Sequence, residues 1–248
     1  MRVHFQREID KLKQQILGMS AEVEEAVADA VRAVETRDPE LANSVLEKEN
    51  QTNAHEVDVE EECLKILALH QPVAADLRYL VAVLKINHDL ERIGDLAVHV
   101  AQGALLLCEM PPVEIPSQLG EMASKSQQML KKVLDAFVSV DVVAAREIRL
   151  ADSDLDALNR AMAARLKTEM SRHPEHLEAL LKLMHIARHL ERIGDHATNI
   201  AEDLIYMVEG RIVRHTQEVS AEAIRPPAAE PASHGAGSLD RTHLAKLE

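Results

Sequence analysis

Leu90-Glu-Arg-Ile-Gly-Asp95 recurs as Leu190-Glu-Arg-Ile-Gly-Asp195, six identical residues at an offset of 100 positions. A six-residue identity within one chain marks an internal duplication. The surroundings repeat as well. Upstream, Glu49-x-x-x-Asn53 aligns with Asp152-x-x-x-Asp156 at an offset of 103, the difference being absorbed by a shorter loop before the last helix.

Working outward, both copies lie in long segments of helical period. Ile9, Leu12, Ile16, Met19, Val23, Ala26 and Ala30 recur at three and four, which predicts a first helix with one buried stripe. Asp38-Pro39 supplies a cap and a first-turn proline for a second helix, which His70-Gln71-Pro72 ends. A third helix follows from about Val73 to Glu109. Met110-Pro-Pro-Val-Glu-Ile-Pro116 cannot continue it, because its prolines remove donors and fix φ. Beyond this boundary the plan repeats, with helices from about Ser117 to Val138, Asp141 to Ser171 and Glu175 to Glu209, and a break at His173-Pro174. The predicted fold is all-α, with two tandem, pseudo-symmetric three-helix bundles packed side by side over residues 1–110 and 117–210. Residues 211–248, with the Ala-, Pro- and Gly-rich run from Ala223 to Gly237, read as a disordered tail.

Composition agrees with helices and narrows function. Aromatic residues make up only 2% of the 248, with no Trp, so Leu, Val, Ala, Ile and Met must fill the core. Lys and Arg number 28 against 42 Asp and Glu, a formal charge of -14 that repels polyphosphate backbones and anionic lipid. Nucleic-acid binding is not expected. Cys63 and Cys108 sit in apolar helical stretches without metal or redox spacing and read as reduced core residues of a cytoplasmic protein. Met1 to Glu8 has no apolar signal region, and no apolar run approaches the ~18 residues that cross a bilayer. Any membrane role is expected to come through a partner.

The acids of the duplicated motif carry the functional signal. At 100° per residue Glu91 and Asp95 continue the line of Leu77, Leu80, Leu84 and Val98. Glu191 and Asp195 likewise continue Leu177, Leu180 and Met184, with Asn199 and Glu202 extending that line. Carboxylates on an apolar stripe must be paired, protonated or bound to a cation. Glu49, Asn53, Glu56 and Glu60 share a face of the second helix, and Asp152, Asp156 and Asn159 share one of the fifth. Each bundle therefore offers two helices of oxygen ligands at one-turn spacing, which suits Mg, Mn, Fe or Zn, with more than one ion per site. A single Glu-x-x-x-Asp pair is most often a solvated acidic face; the duplication and the second acidic helix weigh against that here. Gly94 and Gly194 cost about 1 kcal/mol each relative to Ala in a helix, which points to close approach by a neighbour.

The remaining polar residues are less telling. Among 13 histidines, His185, His189 and His196 flank the second motif and read mainly as structural, whereas His99, four residues after Asp95, is the better ligand candidate. Arg92 and Arg192 are placed to hold neighbouring acids. No Glu is followed three residues later by His, and phosphate-loop, HExxH and nucleophile-elbow patterns are missing, so nothing in the chain asks for catalysis.

These residues resemble the PhoU family. The likeness covers about Phe5 to Gly210 and includes Gln71-Pro72-x-x-x-Asp76-Leu77-Arg78 and Glu191-Arg-Ile-Gly-Asp-His-Ala-Thr-Asn-Ile200. The resemblance implies a cytoplasmic, homodimeric regulator of phosphate uptake and phosphate-starvation signalling, peripheral at the inner membrane only through its partners. Those partners would be the ATPase component of a phosphate ABC transporter and a sensor histidine kinase, with repression of the response when phosphate is plentiful. It also implies multinuclear iron or zinc clusters on Glu91 with Asp95, Glu191 with Asp195, and Asp152 with Asp156. The fourth pair departs from the family pattern, Asn53 replacing an acid opposite Glu49. Two other classes stand beside this reading: a carboxylate-cluster metal enzyme, and a purely structural helical adaptor.

Overall fold

The computed structural model describes residues 2–213, with side chains from His4 onward; past Val213 the expected tail lies outside the described residues. Six helices make up the described residues: α1 Arg2–Thr36, α2 Pro39–His70, α3 Ala74–Glu109, α4 Ser117–Ser139, α5 Val142–Arg172 and α6 Leu177–Glu209. Helices α1–α3 pack together as one bundle and α4–α6 as another, and the most extensive helix–helix contact in the molecule is between α3 and α6. The break expected at His173-Pro174 is a 3₁₀ turn over Pro174–His176, so α6 begins two residues later than the proline alone suggests.

The stripe read on α1 is the spine of the first core. Leu12, Ile16, Met19 and Val23 are fully buried against Ile66 of α2 and Leu80, Ile86 and Leu90 of α3. Met122, Leu130 and Val133 of α4 play the same part against Leu155 and Leu166 of α5 and Leu183 and Ile193 of α6. Each such side chain contributes about 1.5–3 kcal/mol by leaving water. Cys63 is buried as expected, while Cys108 is only half-buried near the end of α3.

The duplication reaches into the turns. The Asp38 side chain accepts from the amides of Glu40 and Leu41, starting α2, and Asp141 accepts from those of Val143 and Ala144, starting α5. The residue before each cap, Arg37 or Val140, has a left-handed φ of 52° or 56°. The first is tied down by its guanidinium, which donates to the Leu107 and Met110 carbonyls at the end of α3.

Helices α3 and α6 run antiparallel, because Lys85 meets Asp203, Asp89 meets His196, and Gly103 meets Ile186. The two copies of the repeated hexapeptide consequently lie at the middle of this crossing. None of the described helices is long and apolar enough to cross a membrane.

Candidate metal centre

In the second bundle, α5 carries Asp152 and Asp156 and α6 carries Glu191 and Asp195, each pair one turn apart. The packing of α5 on α6 brings one carboxylate oxygen from each of Asp156, Glu191 and Asp195 within 4.8 Å of one another. Their charges are poorly offset. Arg160 reaches Asp156 at 3.7 Å, but this is a surface contact of small worth. Loss of water around its oxygens, although the residue as a whole is exposed, and then the negative charge of Glu191, Asp152 and Asp156 push the Asp195 carboxyl up to about 6. Burial and Asp156 also raise Asp152. Carboxylates that suppress one another's ionisation are the donor set a cation relieves, so these residues fit the oxygen-ligated metal that the sequence suggests.

The close approach inferred at Gly194 is made by a side chain. A Cβ there would stand 2.3 Å from Leu155 Cδ2 and 3.5 Å from Met129 Cε, so the glycine lets α6 settle onto α5 beside the acids. At Gly94 the nearest atom to such a Cβ is Thr52 Cγ2, at an ordinary 3.4 Å.

The first bundle arranges equivalent residues differently. Arg92 Nε lies 3.4 Å from Glu91 Oε2, and its Nη1 lies 3.4 Å from Asp95 Oδ2, so one guanidinium serves both acids through neighbouring and i,i+3 contacts. Burial and then Asp95 raise the Glu91 carboxyl. Glu49, Asn53 and Asp95 line a cleft of about 110 Å³ between α1, α2 and α3, together with Glu22 and Glu25. Asn53 is exposed, as is Glu60. Among the described residues, only the second bundle gathers three such donors on one point.

The acid-bearing lines face grooves more than the core. Leu77 and Leu177, at the start of each, are exposed, Glu91 and Asp95 are half-buried, and Asp195 is exposed. Asp152, Asp195 and Asn199 open onto a cleft of about 1060 Å³ between α3, α5 and α6, across which stand His88 and Arg92 of the first bundle. The Asn199 amide donates to Asp89 Oδ1 at 3.4 Å, which His196 also contacts at 2.8 Å. Beside it Lys85 donates to buried Asp203 at 3.1 Å. Sequence reasoning missed Asp89 and Asp203; their signal is the i,i+4 pairs Lys85/Asp89 and Asn199/Asp203 on otherwise apolar contact faces.

At the opposite end of the crossing the rings of His99 and His189 lie 5.2 Å apart between centroids, inclined by 18°. Burial, then His99 and the surrounding Arg192, His185 and Arg188, lower the His189 imidazole to about 4.

The sequence model of the PhoU domain matches residues 16–104 and 119–204, one match in each bundle. The chain is similar to the phosphate-specific transport system accessory protein PhoU homolog of Pseudomonas aeruginosa, 39% identical over 214 residues, 85% of this chain and 88% of that protein. It is 33% identical over 211 residues to the corresponding protein of Escherichia coli, again covering 85% and 88%. The crystal structure of PhoU from Pseudomonas aeruginosa superposes with a TM-score of 0.82 at 38% identity, covering 84% of this chain and all of that one. The phosphate transport system regulatory protein PhoU from Streptococcus pneumoniae superposes with a TM-score of 0.79 at 30% identity, covering 84% and 99%.

Proposed function

The chain belongs to the PhoU family, and from that premise we propose that it is a metal-binding interaction protein that couples a phosphate transporter to a phosphate-responsive kinase. It is an accessory protein of phosphate transport and not an enzyme, in keeping with relatives of matching length and fold. Its place is the cytoplasm, where the ATPase component of a phosphate ABC transporter and a sensor histidine kinase are its partners, and where it restrains the starvation response while phosphate is plentiful. A second copy completes a homodimer.

The observation that carries the metal part of this reading is the convergence of Asp156, Glu191 and Asp195. With Asp152 these residues would hold the ion or cluster of the second bundle, iron or zinc being the family's metals. In the first bundle Glu49, Glu91 and Asp95 would serve, with the neutral amide of Asn53 in place of a fourth carboxylate. A metal held there would supply the positive charge that these carboxylates lack. The protein's own side chains do the rest: Leu155 under Gly194 sets the approach of the two helices, and Arg92 stands in for metal charge where the ligand set is weaker.

The regulatory reading is tested by deleting the gene in its host. Phosphate-starvation genes should then be expressed in phosphate-rich medium, and normal repression in the deletion strain would overturn the reading. Complementation by the Glu191→Gln/Asp195→Asn variant separates the metal from the regulation: a variant that restores repression without binding metal would remove metal from the proposal.

A further inference from the structure

Arg188 and Arg192 lie one turn apart on α6, and both are exposed. Among the described residues every other arginine of α3, α5 and α6 meets a carboxylate or a main-chain carbonyl, whereas these two have no such partner. That is unexpected in a chain where 42 acids stand against 28 Lys and Arg. Three histidines complete a cluster: His185 and His189 on α6, and His99 on α3, whose ring stacks on His189. The charged groups that act most strongly on His189 are His99, Arg192, His185 and Arg188, and all four are basic. The acids of the same helix turn elsewhere. At about 100° per residue, with Glu191 at zero and Asp195 at about 40°, the arc from about 60° to 160° holds Arg188, Arg192, His185 and His189. Glu191 and Asp195 approach Asp156 of α5, while His189 approaches α3.

The other end of the α3–α6 crossing balances the same positions internally. Shifting by 100 places Lys85, His88, Asp89 and Arg92 where His185, Arg188, His189 and Arg192 stand. There Lys85 bonds to Asp203, His196 to Asp89, and Arg92 reaches Glu91 and Asp95. Asp89 and Asp203 correspond to His189 and Gly103, so the second end has lost both interface acids. The formal charge of -14 does not cancel this cluster, because charges are screened beyond about 8 Å at physiological ionic strength. Two guanidiniums a turn apart offer forked N–H donors and two fixed positive charges, which match a dianion better than a carboxylate that one arginine satisfies. Imidazoles add N–H donors in either protonation state. Arg192 also lines the cleft of about 1060 Å³, which gives a ligand room to reach it. We propose that Arg188 and Arg192, with His99 and His185 beside them, form a site for a phosphate dianion, free or carried as a monoester. The site rests on these side chains alone, and its failure would leave the metal and regulatory readings untouched.

Calorimetric titration of the full chain with inorganic phosphate, and separately with glycerol 3-phosphate, tests the site at about pH 8, where both ligands are dianions. One equivalent should bind, and binding should survive treatment of the protein with chelator, which separates the arginines from any metal held by the carboxylates. Arg188→Gln or Arg192→Gln should weaken binding at least about tenfold, and the double variant more than about 100-fold. Helicity and melting temperature should not change, because both side chains are exposed. Arg7→Gln, at an exposed arginine on α1 outside the cluster, should leave binding as it is. Tighter binding of inorganic phosphate identifies the free ion as the ligand, and tighter binding of the ester identifies a phosphorylated molecule. No binding of either, binding that chelation removes, or an affinity unchanged in the double variant would each overturn the site.

Discussion

In the second repeat Asp156, Glu191 and Asp195 bring their oxygens to one point, while in the first Glu91 and Asp95 turn to Arg92 and Asn53 faces solvent. The helical motif is the same in both, so the motif alone does not make the centre. Two neighbours decide the outcome. On the helix opposite, an acid at position 156 has become an amide at position 53, removing one negative charge. Within the motif, Arg92 lies against its own acids, whereas its counterpart Arg192 has no ion pair with Glu191 or Asp195 among the described contacts. Where an arginine already offsets the acids, the demand for a metal is smaller.

Metal content gives the widest separation between the repeats. Glu191→Gln with Asp195→Asn should weaken binding at the second centre by more than about 100-fold, because direct ligands matter at least as much as the groups that orient them. Glu91→Gln with Asp95→Asn should remove the smaller share of bound metal. Elemental analysis of protein purified without chelator reads both, and equal losses would mean that the two repeats bind metal alike.

Next in size is a packing contrast at the two glycines. Gly194→Ala drives a methyl to 2.3 Å from Leu155 Cδ2 and should cost about 1–3 kcal/mol. Gly94→Ala meets only ordinary contacts and should be neutral, or stabilising by up to about 1 kcal/mol through helix propensity. Thermal melting distinguishes the two, and a cost at Gly94 matching that at Gly194 would mean that the bundles pack alike.

A gain of function comes third. Asn53→Asp restores a carboxylate opposite Glu49 and should strengthen metal binding in the first repeat by roughly tenfold, the equivalent of about 1.4 kcal/mol. Titration of the Glu191→Gln/Asp195→Asn chain with and without this change measures it, and unchanged affinity would show that Arg92 rather than Asn53 sets the weakness.

The smallest effect is in the pH dependence of the metal-free protein. The Asp195 carboxyl is raised from 3.8 to about 6 in the folded chain. The stability it contributes is thus fully present below pH 3.8 and is lost as the pH rises through about 6. Asp195→Asn should flatten that part of the profile, and the apparent metal affinity of the second centre should fall as the pH drops below about 6. A metal-free profile with the same slope in the variant would mean that the proton resides elsewhere.

The fold was legible because it rests on local signals: helical periodicity, the Asp38-Pro39 cap, the prolines between Met110 and Pro116, and the repeated hexapeptide. The ligand helices were legible for the same reason. Which donors converge was not, because that depends on the register between helices, which no single helix pattern contains. Asn199 lies on the line of Glu191 and Asp195, yet its amide is drawn to Asp89 on another bundle. The glycine at position 194 points to a close neighbour, but only the packing shows that it is the Leu155 side chain from α5. His99 stood out only for its distance from Asp95, and its ring partner on α6 lies ninety residues away in the chain.

The proposal that the second repeat holds the stronger metal site of a duplicated pair is tested by anomalous diffraction. Crystals of the full chain grown without chelator and measured at the iron and zinc edges should show the strongest peak among Asp156, Glu191 and Asp195, with a weaker peak beside Glu49 and Asp95. A strongest peak in the first repeat, or no peak among the second repeat's three acids, would contradict the account.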